Sequence, residues 1–146
     1  MAVDDAALIG RLIGIGANAD GIGVTVLKQF ELGQSEHDVL ACAMRQPAPH
    51  IATPNLLLEE VRITSGALTT CLNRLIKREL VERVAHTTDL RSKPIQLTDK
   101  GIELIERVTH ARFNLSEKIL QDFSESDKSE FVRLLKKIQS SLVKYS

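Results

Sequence analysis

The residues of this chain that could do chemistry gather in its middle. Thr69, Thr70, Asn73, Arg74 and Lys77 recur at helical spacing in "TSGALTTCLNRLIKREL", and Asp89, Arg91 and Lys93 follow in "HTTDLRSKPIQLT". Hydroxyls, a carboxamide and cations on one helix face are the groups that read base edges in a DNA major groove. Arginine bonds a guanine edge or a phosphate, asparagine pairs with adenine, and threonine offers a hydroxyl and a methyl. Ser65 and Gly66 begin the same segment. Free N–H groups at a helix start suit a phosphate, and glycine lets a sugar–phosphate backbone come close. An arginine held on a narrow β-finger suits the negative minor groove. Asp89 can steady Arg91 through a charge-assisted hydrogen bond, and Lys93 adds attraction for phosphate.

Other chemistries find less support. Cys42 and Cys71 make no disulfide framework and have no C-x-x-C spacing. Both fall on helices with buried faces, where cysteine acts as a small hydrophobe, although an oxidised cysteine in the polar-faced helix would be an effective switch. His37, His50, His86 and His110 are scattered. Zinc needs about four converging ligands, and nothing in the spacing brings His37 and His110 to one point, so no metal is expected. "GIGANA" loosely fits a dinucleotide fingerprint, but no strand precedes it and no βαβ alternation follows. No serine, cysteine or carboxylate pair reads as catalytic, so neither an enzyme nor a cofactor is expected.

The elements that must hold these residues follow from periodicity. Residues 6–29 read as a helix with Leu8, Leu12, Ile15, Ile22, Val26 and Phe30 on its apolar side. The glycines of "IGIGANADGIG" predict a kink, an interruption or very close packing, since each costs about 1 kcal/mol against alanine. "GQSEHDVLACAMRQ" is a second helix, with Ser35 as its expected N-cap. Thr53 caps a short third helix with Pro54 at its first position. Thr64 or Ser65 caps a fourth, whose buried stripe is Leu68, Leu72, Leu75 and Ile76 and whose opposite face has no acid until Glu79. Two strands follow, roughly 81–86 and 94–97. Thr98 and Asp99 open a long helix over about 98–121, and Ser124 or Ser126 opens a last one carrying Phe131, Leu134, Leu135, Ile138 and Leu142.

Composition sets the frame. The 146 residues suffice for one domain with a core. No uninterrupted apolar run approaches a membrane span, and the acidic start "MAVDDAALIG" lacks the basic region of a secretory signal, so a cytoplasmic location is expected. Net charge is zero but unevenly spread: residues 1–61 hold three Lys or Arg against eight Asp or Glu, and residues 62–100 hold eight against four. A basic middle between acidic and neutral flanks is the asymmetry of a nucleic-acid binder.

A short helix, a tight turn and a polar-faced helix make a helix-turn-helix, and a β-finger directly after it makes a wing. With the wing in place, "ITSGALTTCLNRLIKRELVERVAHTTDLRSKPIQLTDKG" resembles the signature of the MarR family of transcriptional regulators. The shared pieces are a recognition helix ending in "RL…K", an "LVER" strand, a "D-x-R" wing tip and "LT-x-x-G", in order across residues 53–101. The sequence departs from the pattern at Glu79 and Ser92, where glycine is usual, and at Leu90, where a second basic residue is frequent.

The resemblance implies a mainly α fold of about six helices with a small β-hairpin: a winged helix-turn-helix DNA-binding part over 35–97 and a helical dimerisation part over 1–34 and 98–146, in one chain of 1–146. It implies a homodimer on a pseudo-palindromic double-stranded DNA operator, acting most simply as a repressor, released when a small phenolic or aromatic ligand binds. By residue, it makes Arg91 the wing arginine, Asp89 its partner, and Ser65, Thr69, Thr70 and Arg74 the recognition-helix contacts. Peroxide-sensing members carry a reactive cysteine near the chain start, and none precedes Cys42 here. Gly14, Ala17 and Gly21 are small enough to leave an effector pocket beside His37 and Ala41, or else to pack helices tightly at the dimer interface. Two alternatives stay open: a winged-helix protein-interaction module, and a redox-responsive regulator using Cys42 or Cys71.

Overall fold

A computed structural model describes residues 4–84 and 93–145. Six α-helices and three short strands follow in the order α1 (Asp5–Gln29), α2 (Gln34–Met44), β1 (Ile51–Ala52), α3 (Pro54–Val61), α4 (Ser65–Lys77), β2 (Val81–Arg83), β3 (Ile95–Leu97), α5 (Asp99–Ile119) and α6 (Glu125–Leu142), with a final 3-10 turn at Val143–Tyr145. The chain forms two compact units, Met1–Arg112 and Phe113–Ser146, and the division falls within α5.

Local chemistry sets most boundaries. The Thr53 hydroxyl accepts from the Leu56 N–H and Pro54 opens α3, as the sequence predicts. Thr64 accepts from the Ala67 N–H at the start of α4. Ser124 and Asp127 cap each other's backbone at the start of α6, a reciprocal capping box. At α2 the expected Ser35 cap is corrected. The N-cap is Gly33, because the Glu36 carboxylate reaches back 2.8 Å to accept from the Gly33 N–H.

The first helix also differs from expectation. α1 is one uninterrupted helix despite its glycines. A side chain at Gly10, Gly14, Gly16, Gly21 or Gly23 would meet nothing within 4 Å, so these glycines do not serve close packing within the chain. Of its residues only Val26 and Leu27, near its C-terminal end, are buried. Although no apolar run is unbroken, α1 is long and apolar enough by length and composition to cross a membrane, with a mean hydropathy of 1.2 over 18 residues.

The core lies in the first unit. Leu27, Val39, Leu40, Leu57, Leu72, Leu75, Leu80, Val81, Ile95, Ile105 and Val108 form one buried cluster drawn from α1 to α5 and the sheet. Each such side chain contributes about 1.5–3 kcal/mol on leaving water. The sheet is antiparallel in the order β1-β3-β2, with Val81 opposite Leu97 and Arg83 opposite Ile95. Val81, Ile95 and Leu97 point into the core and Glu82 points out, the two-residue period of a half-buried sheet. β1 is a finding the sequence reading missed. Two residues are too short to show alternation, and Ile51–Ala52 is a strand because β3 lies beside it.

Candidate nucleic-acid interface

α4 divides cleanly into two faces. Leu68, Cys71, Leu72 and Leu75 are buried, whereas Ser65, Gly66, Thr69, Thr70, Asn73, Arg74 and Lys77 are exposed. The structure therefore gathers every candidate contact of the recognition helix on one open surface. Among the described residues, neither Arg74 nor Lys77 forms an ion pair. Their charges face solvent, ready for a polyanion.

The geometry refines what this face offers. The Thr69 hydroxyl donates to the Ser65 carbonyl at 3.0 Å, and the Thr70 hydroxyl to that of Gly66 at 3.1 Å. Their protons are spent inside the helix, so what they present outward is a lone pair and a methyl. Those suit an amino group of cytosine or adenine and the methyl of thymine. At Gly66 an added side chain would meet nothing within 4 Å, so the fold does not itself require glycine there.

Of the wing, the described residues give the base. Arg83 donates to the Lys93 carbonyl at 3.2 Å, and the Val84 N–H donates to that of Pro94, which ties the two strands together. Lys93 is half-buried. Asp89 and Arg91 lie outside the described residues, as does His86.

Three cations escaped the sequence reading. Arg62 is the C-cap of α3 in the left-handed conformation (φ 57°), exposed in the turn before α4. Its signal was a basic residue in the turn of the motif. Arg78, at the C-cap of α4, and Lys100, in the first turn of α5, look like ordinary surface charges in sequence. In the structure both donate to main-chain carbonyls. Glu79 takes φ 60°, the conformation for which glycine is usual, and stands 3.8 Å from the Lys100 ammonium. The acid at the end of the recognition helix is thus partly offset.

The remaining candidates separate. Gly14 and Ala17 are exposed on α1 with open space at Gly14, Ala41 is half-buried on α2 and His37 is buried. His37 Nε2 lies 3.2 Å from Arg112 Nη1, and its Nδ1 lies 3.0 Å from Asp38 Oδ1. Arginine can only donate, so Nε2 accepts and Nδ1 carries the proton given to Asp38. Cys42 and Cys71 are both buried. Burial pushes the Cys42 thiol up and the Cys71 thiol up to about 11. Thiolate is the reactive form, so burial works against the redox alternative at both positions. Among the described residues, no three His, Cys, Asp or Glu side chains converge as a metal site would need.

Residues 32–93 match the family model described as the MarR family. Over 141 residues the chain is 32% identical to the HTH-type transcriptional regulator PecS of Dickeya dadantii, covering 97% of this chain and 85% of that protein. Among solved structures, a mutant of Staphylococcus aureus MepR bound to an oligodeoxyribonucleotide superposes with a TM-score of 0.65 at 22% identity, covering 96% of this chain and 99% of the other. Bordetella bronchiseptica BpsR, whose DNA binding is regulated by 6-hydroxynicotinic acid, gives 0.67 at 18% identity, with 90% and 98% covered. The likeness to these structures is one of fold, and the likeness to PecS is one of sequence along nearly the whole chain. On that footing the chain belongs to the MarR family of winged helix-turn-helix, DNA-binding transcriptional regulators.

Proposed function

We propose that the protein is a homodimeric repressor that binds a pseudo-palindromic operator and releases it when a small molecule binds. The observation that carries the DNA-binding reading is the outer face of α4: seven exposed polar or glycine positions, with two cations in no ion pair among the described residues, backed by a buried apolar stripe. Ser65, Gly66, Thr69, Thr70, Asn73, Arg74 and Lys77 would meet the major groove. Arg91 would enter the minor groove, supported by Asp89, with Lys93 near phosphate. Arg62 joins them as a phosphate contact from the turn.

Dimerisation is supported by apolar surface that one chain leaves bare. Leu8, Ile9, Ile13, Ile15 and Ile22 of α1 are exposed, and so are Phe131, Leu134, Leu135 and Leu142 of α6. Patches of this kind mark interaction surfaces. Asp20 within α1 makes a second copy a better cover than a bilayer, where a buried carboxylate is costly. Two copies place two recognition helices about one DNA turn apart. A cytoplasmic location goes with this role.

The ligand response rests on family likeness and on BpsR. Gly14, Ala17, His37 and Ala41 are its proposed lining, with the space over Gly14 open either to a ligand or to a helix of the second copy. Replacing Ala17 with leucine separates the two. Lost ligand response with intact DNA binding favours the pocket, and a lost dimer favours packing.

The test of the main reading is binding to the DNA upstream of the protein's own gene at several salt concentrations, with Arg74→Ala and Arg91→Ala alongside. Phosphate contacts release counterions, so affinity should fall steeply with salt. Arg91→Ala should weaken binding. Arg74→Ala should either lower the salt slope by about one or relax the preference at one base pair. Binding no better than to random DNA, there and after selection from random sequence, would turn the reading toward a protein-interaction module.

A further inference from the structure

The ends of α1 and α4 are built alike and are joined. Each finishes with two backbone bonds that fold the chain back on its last turn: Glu31 N–H to the Lys28 carbonyl and Leu32 N–H to that of Leu27 in α1, and Glu79 N–H to Ile76 and Leu80 N–H to Leu75 in α4. This is the Schellman ending, and in both cases a glutamate takes its left-handed position, at φ 55° and 60°. In each ending the carbonyls of the cap residue and of the glutamate after it accept from side chains of another element. Those of Phe30 and Glu31 accept from the two arms of the Arg78 guanidinium, at 3.2 and 2.7 Å. Those of Arg78 and Glu79 accept from Lys100 Nζ at 2.9 Å and the Thr98 hydroxyl at 2.6 Å. Arg107 of α5 also sits over the Phe30 ring, 5.6 Å from its centre. The end of α4 is therefore fastened on one side to the end of α1 and on the other to the start of α5.

We infer that Arg78 is a positioning residue that sets which separation of operator half-sites the dimer accepts. This rests on the proposed dimer, in which α1 and α5 belong to the helices that hold the two copies together. A recognition helix free to swing would tolerate several separations. One whose end is forked onto α1 passes the dimer's fixed geometry to the DNA. Arg78 is suited to this rather than to phosphate, because it is half-buried with both arms engaged, whereas Arg74 and Lys77 are exposed. The fork matters, since arginine can bond two carbonyls in fixed geometry and lysine is a point charge.

The experiment measures affinity at one salt concentration for duplexes carrying two copies of a half-site, itself selected from random DNA, with the separation varied one base pair at a time. A random duplex is the background. The wild type, Arg78→Ala and Arg78→Lys are compared as full-length protein. The wild type should peak at one separation. Arg78→Ala should lower that peak by about tenfold, the scale of coupling lost at such a link. Affinities off the peak and for random DNA should stay within about twofold, so that the preference flattens. Arg78→Lys should keep part of the preference. Equal loss on every duplex would overturn the inference, because Arg78 would then be a plain DNA contact, and so would an unchanged peak. If Arg78→Ala is unfolded at the assay temperature, Arg78→Lys decides by the same comparison, and full retention of the wild-type preference overturns the inference. A wild type indifferent to separation overturns the two-half-site reading and the inference with it, whereas a sharp wild-type peak that survives both substitutions overturns the inference alone.

Discussion

α4 and α6 are both amphipathic helices, yet they end in opposite conditions. The apolar stripe of α4 is buried, with Leu75 at 0% exposure, while α6 has no buried residue among those described and Phe131 and Leu142 are 43% and 54% exposed. The difference separates two kinds of amphipathicity. In α4 the apolar side completes the chain's own core, and the polar side is the one proposed to work on DNA. In α6 the apolar side lacks a cover among the described residues, and under the proposed dimer the greasy side is the one that works. A hydrophobic stripe tells that a helix must be covered, not by what.

Substitutions test that contrast. Leu75→Ala should cost about 2–5 kcal/mol, seen as a fall in thermal midpoint at every protein concentration. A loss confined to dilute solution would mean that this core too depends on a second copy. Next is Gly101→Ala. A side chain there would run into the Leu80 carbonyl oxygen, so overpacking of about 1–3 kcal/mol is expected, read in the same melts. Phe131→Ser should leave the winged part folded but raise the dimer dissociation constant at least about tenfold, as truncation of a central contact does. Sedimentation reads this directly, and an unchanged dimer would remove α6 from the interface. Glu79→Gly relieves a left-handed non-glycine residue at the cost of a looser unfolded chain, so a gain of no more than about 1 kcal/mol is expected by denaturant titration. A last effect is one of pH. Burial pushes the Cys71 thiol from its ordinary 9.0 up to about 11, so its contribution to stability is complete below pH 9 and fades as pH rises from about 9 to 11. Denaturant midpoints across that window should decline, and less steeply in Cys71→Ala.

Much of this was written in short-range chemistry. Thr53 with Pro54, Thr64 and Ser124 announce helix starts because caps act over three residues, and Val81 and Leu97 announce strands by alternation. The outer face of α4 was legible for the same reason: helical spacing alone puts Thr69, Asn73 and Lys77 together. What stayed hidden depends on partners distant in sequence. β1 needs β3. Arg78 acquires its role from carbonyls 47 and 48 residues away. The four proposed effector residues were joined by size and family likeness, and in the structure the space beside Gly14 is open while His37 is buried. Glu36 displaced Ser35 as the organiser of α2 because a carboxylate three residues in can satisfy the cap's own N–H, a choice that propensity alone does not decide.

The outward side chains of α4 carry a consequence for how such a regulator changes its target. Among the described residues, the Thr69 and Thr70 hydroxyls bond only their own helix, and the side-chain bonds that anchor the helix end sit at Arg78 and beyond. The proposed reading surface is thus a cassette: Thr69, Thr70, Asn73 and Arg74 can be exchanged without disturbing a buried contact or a cap. A lineage carrying this architecture can retune the DNA word it reads by point changes on one face while the scaffold behind it stands still, and a designer can graft another reading surface between Thr64 and Arg78 on the same terms.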